Sequence, residues 1–117
     1  MENKRKEDRL HAFWKIFRGN SSWGYLIDLS ETGVRVWLNK DEPTSDSEFV
    51  ITIHPPREFE HDTIELKVHR VWMNTEKSQR FNEVGCKFKD LTQEQDSYLH
   101  QLISFFQQYN PEYDPSQ

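Results

Sequence analysis

The chain has 117 residues, which suits one domain, and its 14% aromatic residues can fill a small core although apolar residues reach only 34%. The formal charge of −5 argues against the basic surface that DNA- or RNA-binding proteins present. A single cysteine, Cys86, excludes an internal disulfide framework, and no apolar stretch is long enough to predict membrane insertion. These features predict a cytoplasmic protein.

The chain begins with a charged segment, residues 1–10, which we predict to be a flexible basic arm. Six short segments follow in which aromatic or alternating apolar residues predict β-strands, separated by turn-forming Gly, Asn, Ser and Pro. In chain order these predicted strands are 11–17, 23–29, 34–38, 48–54, 63–73 and 83–88. In the fourth, Phe49, Ile51 and Ile53 share one face. Alternation in the fifth places Arg70 and Trp72 together on one face, where they could flank a ligand by stacking or, as we expect, cover the exterior.

One amphipathic helix is predicted after the strands, because Leu99, Leu102 and Phe106 recur at helical spacing. Thr92 and Gln95 fit a capping box at its start, and the Asn-Pro pair at 110–111 ends it before a polar tail, 110–117. Six strands followed by one helix predict an all-β fold over 11–109, a six-stranded antiparallel barrel capped by the C-terminal helix. Closure into a barrel would remove the exposed strand edges.

Two arginines in the arm, Arg5 and Arg9, are four residues apart and would point the same way in a helical or turn-like arm. A guanidinium can bind a phosphate through two hydrogen bonds, bind the O6/N7 edge of guanine, or stack on a base. Taken alone, a charged run of this kind is more often a solvated, solubilising segment.

A second motif, Asp28-x-Ser30-x-x-Gly33, follows the second predicted strand. The Asp28 carboxylate can accept hydrogen bonds from guanine N–H groups, and the Ser30 hydroxyl can donate to a phosphate or a base edge. Gly33 allows a tight turn and the close approach of a flat ligand. The same three residues are also ordinary hairpin formers, so a plain turn and a ligand site both remain open at this point.

Together the two motifs resemble the signature of the PilZ family, an RxxxR arm followed by D/NxSxxG, and the Gly-x-x-Phe run at 85–88 is similar to the family's late strand. The resemblance implies a six-stranded barrel that binds cyclic di-GMP. Arg5 and Arg9 would clasp guanine and phosphate, and Asp28, Ser30 and Gly33 would form the ligand-facing barrel surface. Lys4 resembles the basic residue of family arms that hold a stacked pair of ligands. The stoichiometry therefore stays open between one and two cyclic di-GMP molecules per chain.

The leading functional hypothesis is therefore a cyclic di-GMP receptor whose arm orders over the barrel and signals to a downstream protein partner. The alternative is a PilZ-like adaptor that binds protein and no nucleotide. A barrel for single-stranded nucleic acid is disfavoured by the negative charge. No enzyme or metal site is predicted, because Ser30 is not in a nucleophile elbow and no His pairs with Cys86 at zinc spacing.

Overall fold

A computed structural model describes residues 10–41, 46–59, 62–76 and 78–109. Its elements are β1 (Leu10–Arg18), β2 (Ser21–Leu29), β3 (Gly33–Asn39), β4 (Glu48–Ile53), a short 3₁₀ helix (Arg57–Phe59), β5 (Ile64–Asn74), β6 (Phe81–Phe88) and α1 (Gln93–Tyr109). The tail and the arm side chains Lys4, Arg5 and Arg9 lie outside the described residues. The strand bounds agree with the sequence prediction to within one or two residues, whereas the 3₁₀ helix was not predicted.

The six strands form a closed barrel in the order β1-β2-β3-β6-β5-β4, with every neighbouring pair antiparallel. Closure occurs where Ile16 and Phe17 of β1 pair with Ile53 and Thr52 of β4. The predicted six-stranded antiparallel barrel with one C-terminal helix is confirmed. Strand β3, which begins at Gly33 of the second motif, lies between β2 and β6 and is hydrogen-bonded to both strands.

The core lies inside the barrel, where one face of each strand supplies apolar side chains. Phe49, Ile51 and Ile53 of β4 are buried, as their alternation predicts. Trp23 is fully buried and meets Phe49 edge to face at a ring separation of 5.3 Å. Aliphatic side chains form most of this core, to which Trp23, Phe49 and Phe59 add buried aromatic rings.

Helix α1 begins with the predicted capping box. The Gln95 N–H donates to Thr92 Oγ1 at 3.0 Å, and the Thr92 N–H donates to Gln95 Oε1 at 2.8 Å. The apolar face of the helix buries Leu99 and Leu102, and Phe106 packs against Trp14 of β1 at a ring separation of 5.3 Å. No helix of the described residues is long and apolar enough to cross a membrane.

The predicted common face of Arg70 and Trp72 is wrong, because a β-bulge falls between them. Arg70 pairs with Cys86 and lines a pocket beside the core residues Phe49 and Val84, whereas Trp72 pairs with Gly85 and is 45% exposed. A bulge adds one residue to a strand and so reverses the faces of the side chains beyond it. Trp72 is on the exterior, as expected, while Arg70 is not.

Candidate ligand-binding face

The connection between β2 and β3 is organised by Ser30, which is fully buried. Its hydroxyl oxygen accepts hydrogen bonds from the backbone N–H groups of Gly33 at 3.2 Å and Thr32 at 3.3 Å. The Ser30 N–H donates to the Gly33 carbonyl at 2.9 Å. Such side-chain-to-backbone bonds stabilise a tight turn. The serine of the motif therefore holds the turn together.

Gly33 is required by the close approach of β3 to β6. A Cβ atom at this position would lie 2.4 Å from the carbonyl oxygen of Cys86. The backbone of Gly33 is not in the left-handed region, which among the described glycines is adopted by Gly19. The turn itself thus does not demand glycine; the neighbouring strand does.

Asp28 lies on the outer face of the barrel, where a β-bulge between Leu26 and Asp28 turns it outward beside Arg35 of β3. The Arg35 Nη2 is 2.8 Å from Asp28 Oδ2, and Arg35 Nη1 is 3.6 Å from Glu83 Oε2 on β6. The Trp37 Nε1–H also donates to Glu83 Oε2 at 3.3 Å. Asp28 is only 4% exposed and Glu83 only 5%. We call these four side chains the charged cluster: Asp28, Arg35, Glu83 and Trp37.

Trp72 lies next to the charged cluster, because strand pairing aligns it with Arg35 across β3, β6 and β5. Gly85 of β6 pairs with Arg35 on one side and with Trp72 on the other. The Trp72 indole covers Gly85 so closely that a Cβ there would lie 2.2 Å from the indole Nε1. The absence of a side chain at Gly85 therefore creates the space in which an exposed indole lies beside Arg35.

Three further aromatic side chains, Phe13, Tyr25 and Phe81, lie next to Trp37 of the charged cluster on the outer face of the barrel. Phe13 stacks on Tyr25 at 4.5 Å, and Trp37 stacks on Phe81 at 5.8 Å. Phe13 is 59% exposed. The outer face of β1, β2, β3, β6 and β5 thus combines nearly buried carboxylates with exposed aromatic surface, a combination that suits a flat, hydrogen-bonding ligand.

The sequence matches the PilZ domain family model over residues 3–105. The chain belongs to the PilZ domain family. This family comprises cyclic di-GMP receptors, and its domains are generally non-catalytic. A comparison with curated proteins gives no match.

Solved structures with a similar fold include PilZ proteins that were determined with their ligand. The PilZ domain of Escherichia coli YcgR with c-di-GMP aligns with a TM-score of 0.67 and 13% identity over 95% of this chain and 100% of that one. The Bacillus subtilis inhibitor of motility MotI/DgrA gives 0.66 and 20% identity over 93% and 53%. The K. pneumonia MrkH–c-di-GMP complex gives 0.65 and 13% identity over 94% and 55%. This PilZ chain thus spans about half the length of MotI/DgrA and MrkH.

The PilZ motif residues within the described part, Asp28, Ser30 and Gly33, lie together around the β2–β3 connection. Sequence reasoning missed Arg35, although the antiparallel hairpin that it predicted places Arg35 opposite Asp28. It also missed Glu83, and it gave stacking of Trp72 on a ligand only as the less favoured alternative, since both positions depend on long-range pairing of β3, β6 and β5.

The buried Cys86 thiol is not suited to nucleophilic chemistry. Burial raises the pKa of the Cys86 thiol to about 12, with Arg70 opposing the shift, so this thiol stays protonated near neutral pH and is a poor nucleophile. Among the described residues there is no cluster of His, Cys, Asp and Glu that could hold a metal ion.

His100 of α1 connects the helix to the motif turn. Its Nδ1 is 2.8 Å from the Asp96 carbonyl oxygen and its Nε2 is 3.1 Å from Glu31 Oε1. Both partners only accept hydrogen bonds, so both contacts are satisfied when the ring is doubly protonated. The hydrogen bond to Asp96, aided by the Glu31 and Asp96 carboxylates, raises the pKa of His100 above its usual value.

A raised pKa means that the folded state binds the proton more tightly than the unfolded chain does. The stabilisation is therefore complete below the unfolded value of about 6.5 and is lost as pH rises through the folded value. We expect His100→Gln to lower the free energy of unfolding more at about pH 5.5 than at about pH 8.5. Urea unfolding at both pH values checks this, with His69→Gln as the matched surface control. The same loss at both pH values would contradict the assignment.

Proposed function

We propose that this PilZ domain is a receptor for cyclic di-GMP, in which Asp28 reads guanine from the outer face of the barrel and the arm holds the phosphates. The observation that carries the proposal is the outward placement of the Asp28 carboxylate, paired with Arg35 at 2.8 Å beside the exposed Trp72 indole. Family membership supports it independently.

Asp28 suits guanine because a carboxylate accepts hydrogen bonds, and guanine presents N–H donors at N1 and N2. Adenine presents an acceptor at N1 instead, so the same carboxylate would discriminate against it. A site that accepts hydrogen bonds from the N–H groups of a ligand rejects analogues that lack them, because the acceptor at adenine N1 would face the carboxylate oxygens and no hydrogen bond would form there.

The negative charge of the ligand's phosphates must be balanced by cationic side chains, and Arg35 is the one cationic member of the charged cluster. Arg35 already pairs with two carboxylates, so it is poorly placed to neutralise a phosphate as well. The arm residues Lys4, Arg5 and Arg9 supply the missing charge in this proposal. These three side chains can bind both phosphates of one ligand, or phosphates of a stacked pair of ligands.

Trp72 would act as a stacking platform for a guanine base. Its indole lies over Gly85 next to Arg35 in the paired row and is 45% exposed. Stacking of a base on an aromatic side chain is worth about 1–3 kcal/mol. Ser30 and Gly33 would contribute by shaping the turn and by keeping β3 close to β6, which fixes Asp28 and Arg35 relative to each other.

Ligand binding would order the arm against the barrel and create a new surface that a cytoplasmic protein partner recognises. Hydrogen exchange of the whole chain, with and without cyclic di-GMP, tests this switch. We expect residues 1–9 to gain protection in the presence of ligand, while the core strand β4 is protected in both states. Binding that leaves the exchange of residues 1–9 unchanged would exclude the arm from the mechanism.

A further inference from the structure

We infer that Arg35 is a positioning residue of the ligand site, which acts by holding the Asp28 carboxylate in place for the base. The inference rests on the proposed function. It concerns a residue outside both sequence motifs, on the strand that follows the second one.

The geometry places Arg35 as a bridge across three strands. Its Nη2 contacts Asp28 on β2 at 2.8 Å, while its Nη1 is 3.6 Å from Glu83 on β6. The Trp37 indole N–H donates to the same Glu83 oxygen at 3.3 Å, so the carboxylate that orients Arg35 is itself oriented. A planar guanidinium can pair with two carboxylates in a fixed arrangement, which a lysine ammonium on a flexible stem cannot reproduce.

Fold stability does not account for this cluster well. Buried ion pairs are often no more stabilising than apolar residues of similar size, because both charges lose hydration. The buried Nε of Arg35 also has no hydrogen-bond acceptor among the described residues, which is unfavourable. A chain that retains two nearly buried carboxylates around one guanidinium on its outer surface therefore points to a role in binding.

Arg35 would act through Asp28 because both ends of its guanidinium are engaged by carboxylates. Removing it would take away the guanidinium that contacts the Asp28 carboxylate at 2.8 Å, so the carboxylate would be less firmly held. The affinity for a guanine ligand should fall, and so should the preference for guanine over adenine, whereas direct phosphate binding by Arg35 would leave that preference unchanged.

A double-mutant cycle on the full chain tests this, with affinities for cyclic di-GMP measured by titration calorimetry. The variants are Arg35→Ala, Asp28→Asn and the double variant; asparagine keeps the size and one acceptor, so that binding stays measurable. We expect Arg35→Ala to weaken binding about tenfold in the wild-type background and less than about threefold in the Asp28→Asn background, because coupled residues are not additive. Arg57→Ala, an arginine on the 3₁₀ helix, is the matched control and should leave the affinity unchanged.

Thermal melts of every variant separate binding from folding, and Arg35→Lys replaces Arg35→Ala in the cycle if the alanine variant does not fold. Equal losses in both backgrounds, with wild-type binding intact, would overturn the role of Arg35 and leave the proposed function standing. An unchanged ratio of cyclic di-GMP to cyclic di-AMP affinity in the Arg35 variant would do the same. No binding by the wild type would overturn the proposed function, and the inference with it.

Discussion

Replacing Arg5 and Arg9 together by alanine should weaken cyclic di-GMP binding about a thousandfold, the largest effect that we expect on affinity. Each arginine is proposed to make charge-assisted hydrogen bonds to guanine or phosphate, worth about 1.5–3 kcal/mol each. Since every 1.4 kcal/mol is about a factor of ten, the two losses combine to roughly three powers of ten. Titration calorimetry of the wild type, the two single variants and the double variant checks the expectation.

Lys6→Ala is the matched control for the arm, because Lys6 lies between the two arginines in the sequence but is outside the motif spacing. It removes the same charge and should change affinity by less than about threefold. If Lys6→Ala weakened binding as much as either arginine variant, the arm would act through its total charge. A double arginine variant with wild-type affinity would remove the arm from the site.

Gly33→Ala should lower the free energy of unfolding by about 2–3 kcal/mol, the largest effect that we expect on stability. The added Cβ would lie 2.4 Å from the Cys86 carbonyl oxygen, a backbone atom that can retreat only if β3 and β6 move apart. Forcing extra volume into a packed site costs about 1–3 kcal/mol. The melting temperature should therefore fall by roughly 8–12 °C, which thermal denaturation followed by circular dichroism measures.

Gly85→Ala is the matched control on β6. Its added Cβ would meet the side chain of Trp72 at 2.2 Å, but that indole is 45% exposed and can rotate away. We expect a stability loss of less than about 1 kcal/mol together with a change in tryptophan fluorescence. Equal stability losses in the two variants would show that the contact of Gly33 with Cys86 is not the constraint described above.

Much of the barrel follows from alternation along single strands. Phe49, Ile51 and Ile53 recur at every second position, and burial of apolar side chains is the dominant favourable contribution to folding, so the pattern and the structure agree. The capping box of α1 can equally be predicted from the sequence, because Thr92 and Gln95 satisfy backbone groups within one turn. Local signals of this kind depend on neighbours in the sequence.

The charged cluster and the position of Trp72 depend instead on register between distant strands. The bulge between Arg70 and Trp72 reverses the faces on β5, and nothing in the local alternation marks it. Glu83 reaches Arg35 only because β6 pairs with β3, a pairing between segments about 50 residues apart. The sequence pattern predicted Asp28 as a site residue but not the side chains that hold it.

The three residues of the second motif differ in whether their role in the fold explains them. Ser30 is buried and bonded within the turn, and Gly33 is fixed by its contact with Cys86, so both have a structural reason to be present. Asp28 has a partner on the neighbouring strand and lies on the outer surface, where a ligand would bind. Asp28, with the arm arginines, therefore carries the guanine-binding proposal more strongly than the turn does.

Titration calorimetry of the wild-type 117-residue chain with cyclic di-GMP, with cyclic di-AMP as the comparison, tests the central claim most directly. We expect saturable binding of one or two cyclic di-GMP molecules per chain and at least about a hundredfold weaker binding of cyclic di-AMP, because the Asp28 carboxylate requires the guanine donors. Absence of cyclic di-GMP binding would contradict it and favour a PilZ adaptor that contacts its protein partner without nucleotide.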